Sequence, residues 1–142
     1  MTQSHHWVLF ALASAAFAAA TAIFGKLGVA ALNANFATLV RTLVIVVMIA
    51  IVVTARGEWQ ALNEVKPYAL AMLVLSAVAT GASWLCYYQA LKWGPASRVA
   101  PLDKLSVVLV IAASILFLRE PLTWKVALGG GLVAAGAVIL AL

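Results

Sequence analysis

Residues 36–55 read FATLVRTLVIVVMIAIVVTA, twenty positions whose only polar side chains are Thr38, Arg41, Thr42 and Thr54. A helix rises about 1.5 Å per residue, so the run is about 30 Å long. The hydrocarbon core of a bilayer is about 30 Å thick. The stretch therefore reads as a membrane-spanning helix, and it fixes how its neighbours are read.

Outward from it the pattern repeats. Further apolar runs cover residues 7–27, 67–92, 95–118 and 121–142, giving five candidate spans in 142 residues. The composition agrees: 66% of residues are hydrophobic, 9% are charged, and the mean hydropathy is +1.12. A soluble domain carries about 45–50% apolar and about 25% charged residues, and a chain this small has no core large enough to hide the excess. A soluble globular protein and a disordered one are both excluded. A disulfide scaffold is excluded as well, because Cys86 has no second cysteine in the chain. The first run has no charged segment before it and is too long for the apolar region of a signal peptide, so it reads as an anchor. The expected fold is an all-α integral membrane protein, one five-helix domain over residues 1–142.

Breaks between runs have local causes. Gly28 and the segment 33–35 (Asn-Ala-Asn) suit the C-terminal end of the first helix. Arg56, Gly57 and Glu58 bring charge and flexibility that hydrocarbon rejects. Gly94 and Pro95 stop the third helix, and Pro121 fits the first turn of the fifth, where its missing N–H costs nothing.

The nine Lys and Arg exceed the four Asp and Glu, giving a net charge of +5. They are scattered singly between apolar runs, with no cluster to follow a phosphate backbone, so no nucleic-acid partner is expected. At span ends they read as anchors to the lipid bilayer. Five spans put the termini on opposite sides, with Arg56, Lys66, Arg119 and Lys125 on one and Lys26, Lys92 and Arg98 on the other. Orientation follows an excess of Lys and Arg on the cytoplasmic side. Four against three leaves two outcomes open: insertion in both orientations, or a weak bias that places the N-terminus inside.

Ionisable groups within a span are costly and are functional candidates by default. Lys26, Arg41, Asp103 and Lys104 qualify. Lys26 and Arg41 lie near helix ends, so each either snorkels to the interface or lines a binding site. Arg41 offers a planar fork suited to a carboxylate or phosphate. Asp103 is the one acid inside a span. If Pro101 opens the regular part of the fourth helix, Asp103 falls in its first turn, where the helix dipole favours a carboxylate. A structural role there, with an ion pair to Lys104 or to a neighbouring helix, stands beside a titrating role in proton-coupled transport.

Trp84, Tyr87, Tyr88 and Gln89 form an aromatic cluster late in the third run. Trp84 and Tyr88 share a face at i, i+4. Tyr87, Tyr88 and Trp93 fit an interfacial aromatic belt, whereas Trp84 lies deeper and suits a cavity wall. Trp7, Trp59 and Trp124 sit at span ends and need only the belt. The stripes of small residues along the first and fifth runs, including Gly129, Gly130, Gly131 and Gly136, fit close helix packing within one chain or between subunits. No metal-ligand cluster, phosphate loop or nucleophile–base set is present, and His5 and His6 are a terminal pair. Neither catalysis nor a cofactor nor a metal is expected.

The second half of the chain resembles a known family. ALKWGPAS at 90–97, followed by VAPL at 99–102, looks like the junction of the third and fourth helices in an EamA-type repeat of the drug/metabolite transporter superfamily. LFLREPLT at 116–123 is similar to that family's LFLxExLT junction. The helix over 129–142, with Gly130 and Gly136, also fits, and Phe24-Gly25-Lys26 and Arg41 fall where the family often has Lys and Arg. The resemblance implies a multi-pass carrier of small metabolites, such as amino acids or related compounds, in the inner (plasma) membrane.

Most relatives of this kind resemble two inverted five-helix repeats fused in one chain, about ten helices around a midplane site. This chain looks like one repeat, half of that fold. A carrier of this type then requires a second copy inserted in the opposite orientation, an antiparallel homodimer working by alternating access. The near-balance of charge is what such a pair requires. Small multidrug-resistance proteins carry a carboxylate in their first helix; here that helix has no acid, which argues against the same cation–proton antiport mechanism and leaves Asp103, on a different helix, as the candidate coupling group. Arg41, Lys26 and Lys104 tilt the expected substrate toward anionic or zwitterionic solutes, with Trp84 and Tyr88 beside them. The rival reading is a non-transporting membrane subunit that packs against a larger partner.

Overall fold

The computed structural model describes residues 6–61 and 64–142, so His5 lies outside the described residues. Among the described residues all regular elements are helical: α1 (His6–Ala31), α2 (Ala34–Arg56), α3 (Pro67–Trp93), α4 (Ala96–Asp103), α5 (Leu105–Phe117) and α6 (Trp124–Ala141). With α4 and α5 taken together as Ala96–Phe117, five segments of 26, 23, 27, 22 and 18 residues are long and apolar enough to cross a membrane. The chain is an all-α, multi-pass membrane protein.

The helix ends follow from capping chemistry and correct three sequence expectations. α1 does not stop at Gly28 but continues to Ala31, and Asn33 starts the next helix instead of ending the first. Its side-chain oxygen accepts from the Asn35 N–H at 2.9 Å, satisfying a donor that the first turn of α2 leaves open. Gly57 closes α2 in the left-handed region at φ 65°, with Glu58 N–H donating to Val53 O at 3.0 Å. Only glycine takes that conformation without a Cβ penalty.

Pro121 is not in the first turn of the last helix. α6 begins at Trp124, capped by Thr123, whose hydroxyl accepts from Val126 N–H at 3.3 Å. A side-chain acceptor satisfies a free N–H, which proline only avoids presenting.

The third correction concerns the fourth span. Helix begins at Ala96, directly after Gly94 and Pro95, so Pro101 lies inside α4 and Asp103 is its last residue, not part of a first turn. Proline cannot donate to the carbonyl four residues back and its ring crowds that group. The winding tightens after it, with Lys104 N–H donating to Pro101 O and Val107 N–H to Lys104 O, both at 3.0 Å. Lys104 is thus the joint between α4 and α5.

Two compact units arise, one gathering residues up to Lys26 with Trp93–Leu142, the other Leu27–Lys92. In the first, α6 packs on α4 and α5. Gly130 is its close-approach point: a Cβ there would lie 3.0 Å from Ile111 Cδ1, whereas nothing stands within 4 Å of one at Gly129 or Gly131. In the second unit the buried set includes Val29, Ala34, Ala37, Thr38, Tyr88 and Leu91. Small residues dominate because helices in lipid associate by close backbone approach, not by expelling water.

Several hydroxyls inside the spans donate to carbonyls of their own helices. Thr38 donates to Ala34 O, Thr42 to Thr38 O, Thr80 to Ser76 O and Ser114 to Ile111 O, at 2.8–3.0 Å. Such bonds satisfy polar groups where no water is at hand. Long apolar side chains such as Phe17, Leu73 and Leu109 are exposed over most of their surface, which suits lipid and not water.

Candidate functional site

Arg41 sits in the second turn of α2, about 10 Å along the helix from Ala34 by the rise per residue. Its guanidinium carbon lies 3.9 Å from the ring centroid of Trp84 and 5.3 Å from that of Tyr88. Trp84 and Tyr88 come from one face of α3, where i, i+4 side chains are neighbours. Trp84 is about 13 Å from the end of α3 at Trp93 by the same rise. Tyr88 is buried, and Tyr87 meets it edge-on at 6.2 Å with the rings inclined by 65°. Arg41 is therefore stacked beside the aromatic pair at the depth of its own span. Tyr88 is not a lipid-facing belt residue, whereas Trp93, exposed at the end of α3, fits the belt.

Asp103 and Lys104 form a second group. Lys104 Nζ lies 3.2 Å from Asp103 Oδ2, with side chains 55% and 35% exposed for Lys104 and Asp103 respectively. The pair straddles the joint between α4 and α5, so the expected ion pair forms although the expected helix-dipole contact does not. An exposed pair of this kind contributes at most about 1 kcal/mol in water. In a span it also needs a polar neighbourhood, because hydrocarbon rejects both charges.

Lys26 takes a third course. Its half-buried ammonium donates to Gly94 O at 2.8 Å, just past the end of α3. Lys92, read from sequence only as an orientation charge, donates to Leu32 O at 3.0 Å, just past the end of α1. In each case a cation meets carbonyls that the end of a helix leaves without intrahelical donors. The signal was a lysine close to a helix C-terminus, but the acceptors lie 68 and 60 residues away in sequence.

Of the six sequence-derived candidates, Arg41, Trp84 and Tyr88 thus form one cluster, Asp103 and Lys104 form a pair, and Lys26 is engaged at the end of α3.

Five helices long and apolar enough to span, among the described residues, define a polytopic membrane protein. The chain matches the EamA-like transporter family over residues 5–142, and it belongs to that family. A Sinorhizobium protein named as an uncharacterized transporter in the cobO 3′ region is 54% identical over 138 residues, covering 97% of this chain and 98% of that one. An uncharacterized protein of Methanocaldococcus jannaschii is 37% identical over 73 residues, 51% of this chain and 53% of that one. No solved structure matches the chain.

Proposed function

We propose that the protein is a secondary carrier, not an enzyme, that moves small anionic or zwitterionic metabolites across the inner (plasma) membrane. Its working unit is two copies of the chain in opposite orientations, alternating access to a site near the midplane. Family membership supports transport. The observation that carries the substrate class is Arg41: a permanent positive charge held at the depth of a span against Trp84.

Two features support the inverted pair. Lys and Arg are nearly balanced between the two sides that five spans define. The Sinorhizobium relative is itself matched over 98% of its length, so it too is the size of a single repeat. Asp103 is the coupling group in this reading. Protonation removes its charge, breaks the contact with Lys104 and alters the joint between α4 and α5, a local change that a moving helix pair can follow.

Uptake into proteoliposomes under an imposed proton gradient tests the proposal. Gradient-driven accumulation of an amino acid or a carboxylate, together with an inverted dimer on crosslinking, is the expected result. A protein that moves nothing and copurifies only with a larger membrane partner fits the subunit reading instead.

A further inference from the structure

Resting on the carrier reading, we propose that Arg41 is the binding group of a subsite for an oxyanion, in solute form a carboxylate, and that Trp84 and Tyr88 are its positioning residues. An arginine within a span pays a desolvation cost that grows with its depth, and Arg41 lies about two turns into α2. A cation–π contact returns part of such a cost. Stacking on Trp84 leaves part of the cost uncovered, and the remainder has to be met through the guanidinium's N–H donors.

Among the described residues the Arg41 side chain makes no hydrogen bond or ion pair; its contacts are the two rings. Neither α2 nor α3 contains an Asp or Glu. Thr38 and Thr42, which flank Arg41 on α2, donate their hydroxyls to carbonyls of their own helix.

The aromatic contacts also decide what the group can bind. The guanidinium carbon lies 3.9 Å from the Trp84 centroid, and a guanidinium carries five N–H donors in one plane. That planar fork matches the two oxygens of a carboxylate. Lysine in the same place would supply charge without that geometry. Tyr88 is buried and braced edge-on by Tyr87, so the α3 side of the subsite is fixed in place. A phosphate on a lipid headgroup presents similar oxygens and is the second source of an oxyanion at this position.

The test uses the full-length protein and three probes that share a phenylethyl unit: 3-phenylpropanoate, phenylalanine and phenethylamine. Their phenyl group suits an aromatic wall, and the first two alone carry the carboxylate. Binding is read from the melting temperature in detergent, and transport from uptake into phosphatidylcholine vesicles with and without phosphatidylglycerol. Both carboxylates are expected to raise the melting temperature, and phenethylamine to leave it unchanged. Arg41→Lys and Trp84→Ala should raise the half-saturating concentration of 3-phenylpropanoate at least about tenfold, while Trp84→Phe, which keeps a ring, stays within about threefold.

Wild-type protein indifferent to both carboxylates, or Arg41→Lys binding them as wild type does, overturns the subsite. Stabilisation by phosphatidylglycerol that Arg41→Lys loses, with no response to the carboxylates, assigns the fork to lipid and also overturns it. Binding that depends on Arg41 with no uptake keeps the subsite and removes the carrier. Uptake that ignores Arg41 does the reverse.

Discussion

Two of the charged groups within the spans are held in opposite ways. On α2 and α3 a single guanidinium is laid against Trp84 and Tyr88, with no acid to neutralise it. At the joint of α4 and α5 two opposite charges on adjacent residues meet at 3.2 Å, leaving no net charge. Aromatic faces hold a charge without cancelling it, so the first arrangement stays attractive to an anion. A contact between neighbours of opposite sign cancels charge, so the second presents no net charge to a solute. The contrast suggests a division of labour between recognition and coupling.

The largest expected effect attacks that division at the joint. Asp103→Asn should abolish proton-driven accumulation in proteoliposomes while leaving dimerisation and Arg41-dependent binding intact; accumulation at the wild-type rate would end the coupling role. Next comes the other member of the comparison. Arg41→Leu should remove carboxylate uptake yet raise thermal stability by about 1 kcal/mol, because an incompletely compensated charge leaves the span. A fall in melting temperature would mean that Arg41 is there for the fold.

A smaller effect separates the regions structurally. Gly130→Val should cost about 1–3 kcal/mol by crowding Ile111, whereas Gly129→Ala, facing open space, should be neutral or gain up to about 1 kcal/mol. Equal effects in thermal melts would place the close approach of α6 elsewhere. The smallest concerns Arg119, which takes φ 55° after the end of α5. Arg119→Gly should gain about 0.5–1 kcal/mol in the same melts, because a side chain there works against its own backbone.

Much of the fold was legible because a span is a one-dimensional object: residues 36–55 declare themselves by length and polarity alone. Ends were less legible. Asn33 suits either a helix end or a helix start, and only the donor it meets decides between them. The joint at Lys104 was hidden because Pro101 fits a first turn as well as an interior, and the preceding Pro95 supplied the real start. In the candidate site, the i, i+4 spacing of Trp84 and Tyr88 announced a shared face. That Arg41 lies across it depends on how α2 meets α3, which no local pattern encodes. The acceptors of Lys26 and Lys92 were out of reach for the same reason.

The proposed working unit is two copies of this chain in opposite orientations, an arrangement that membrane topology puts to the test. A cytoplasm-active reporter and a periplasm-active reporter, fused separately to Leu142, should both be strongly active. Adding two lysines beside Leu142 should then drive the population toward one orientation and depress transport, since the chain has no strong Lys/Arg bias of its own. Activity from only one of the two reporters on the unaltered chain would contradict the account, because copies that all point the same way cannot form an inverted pair.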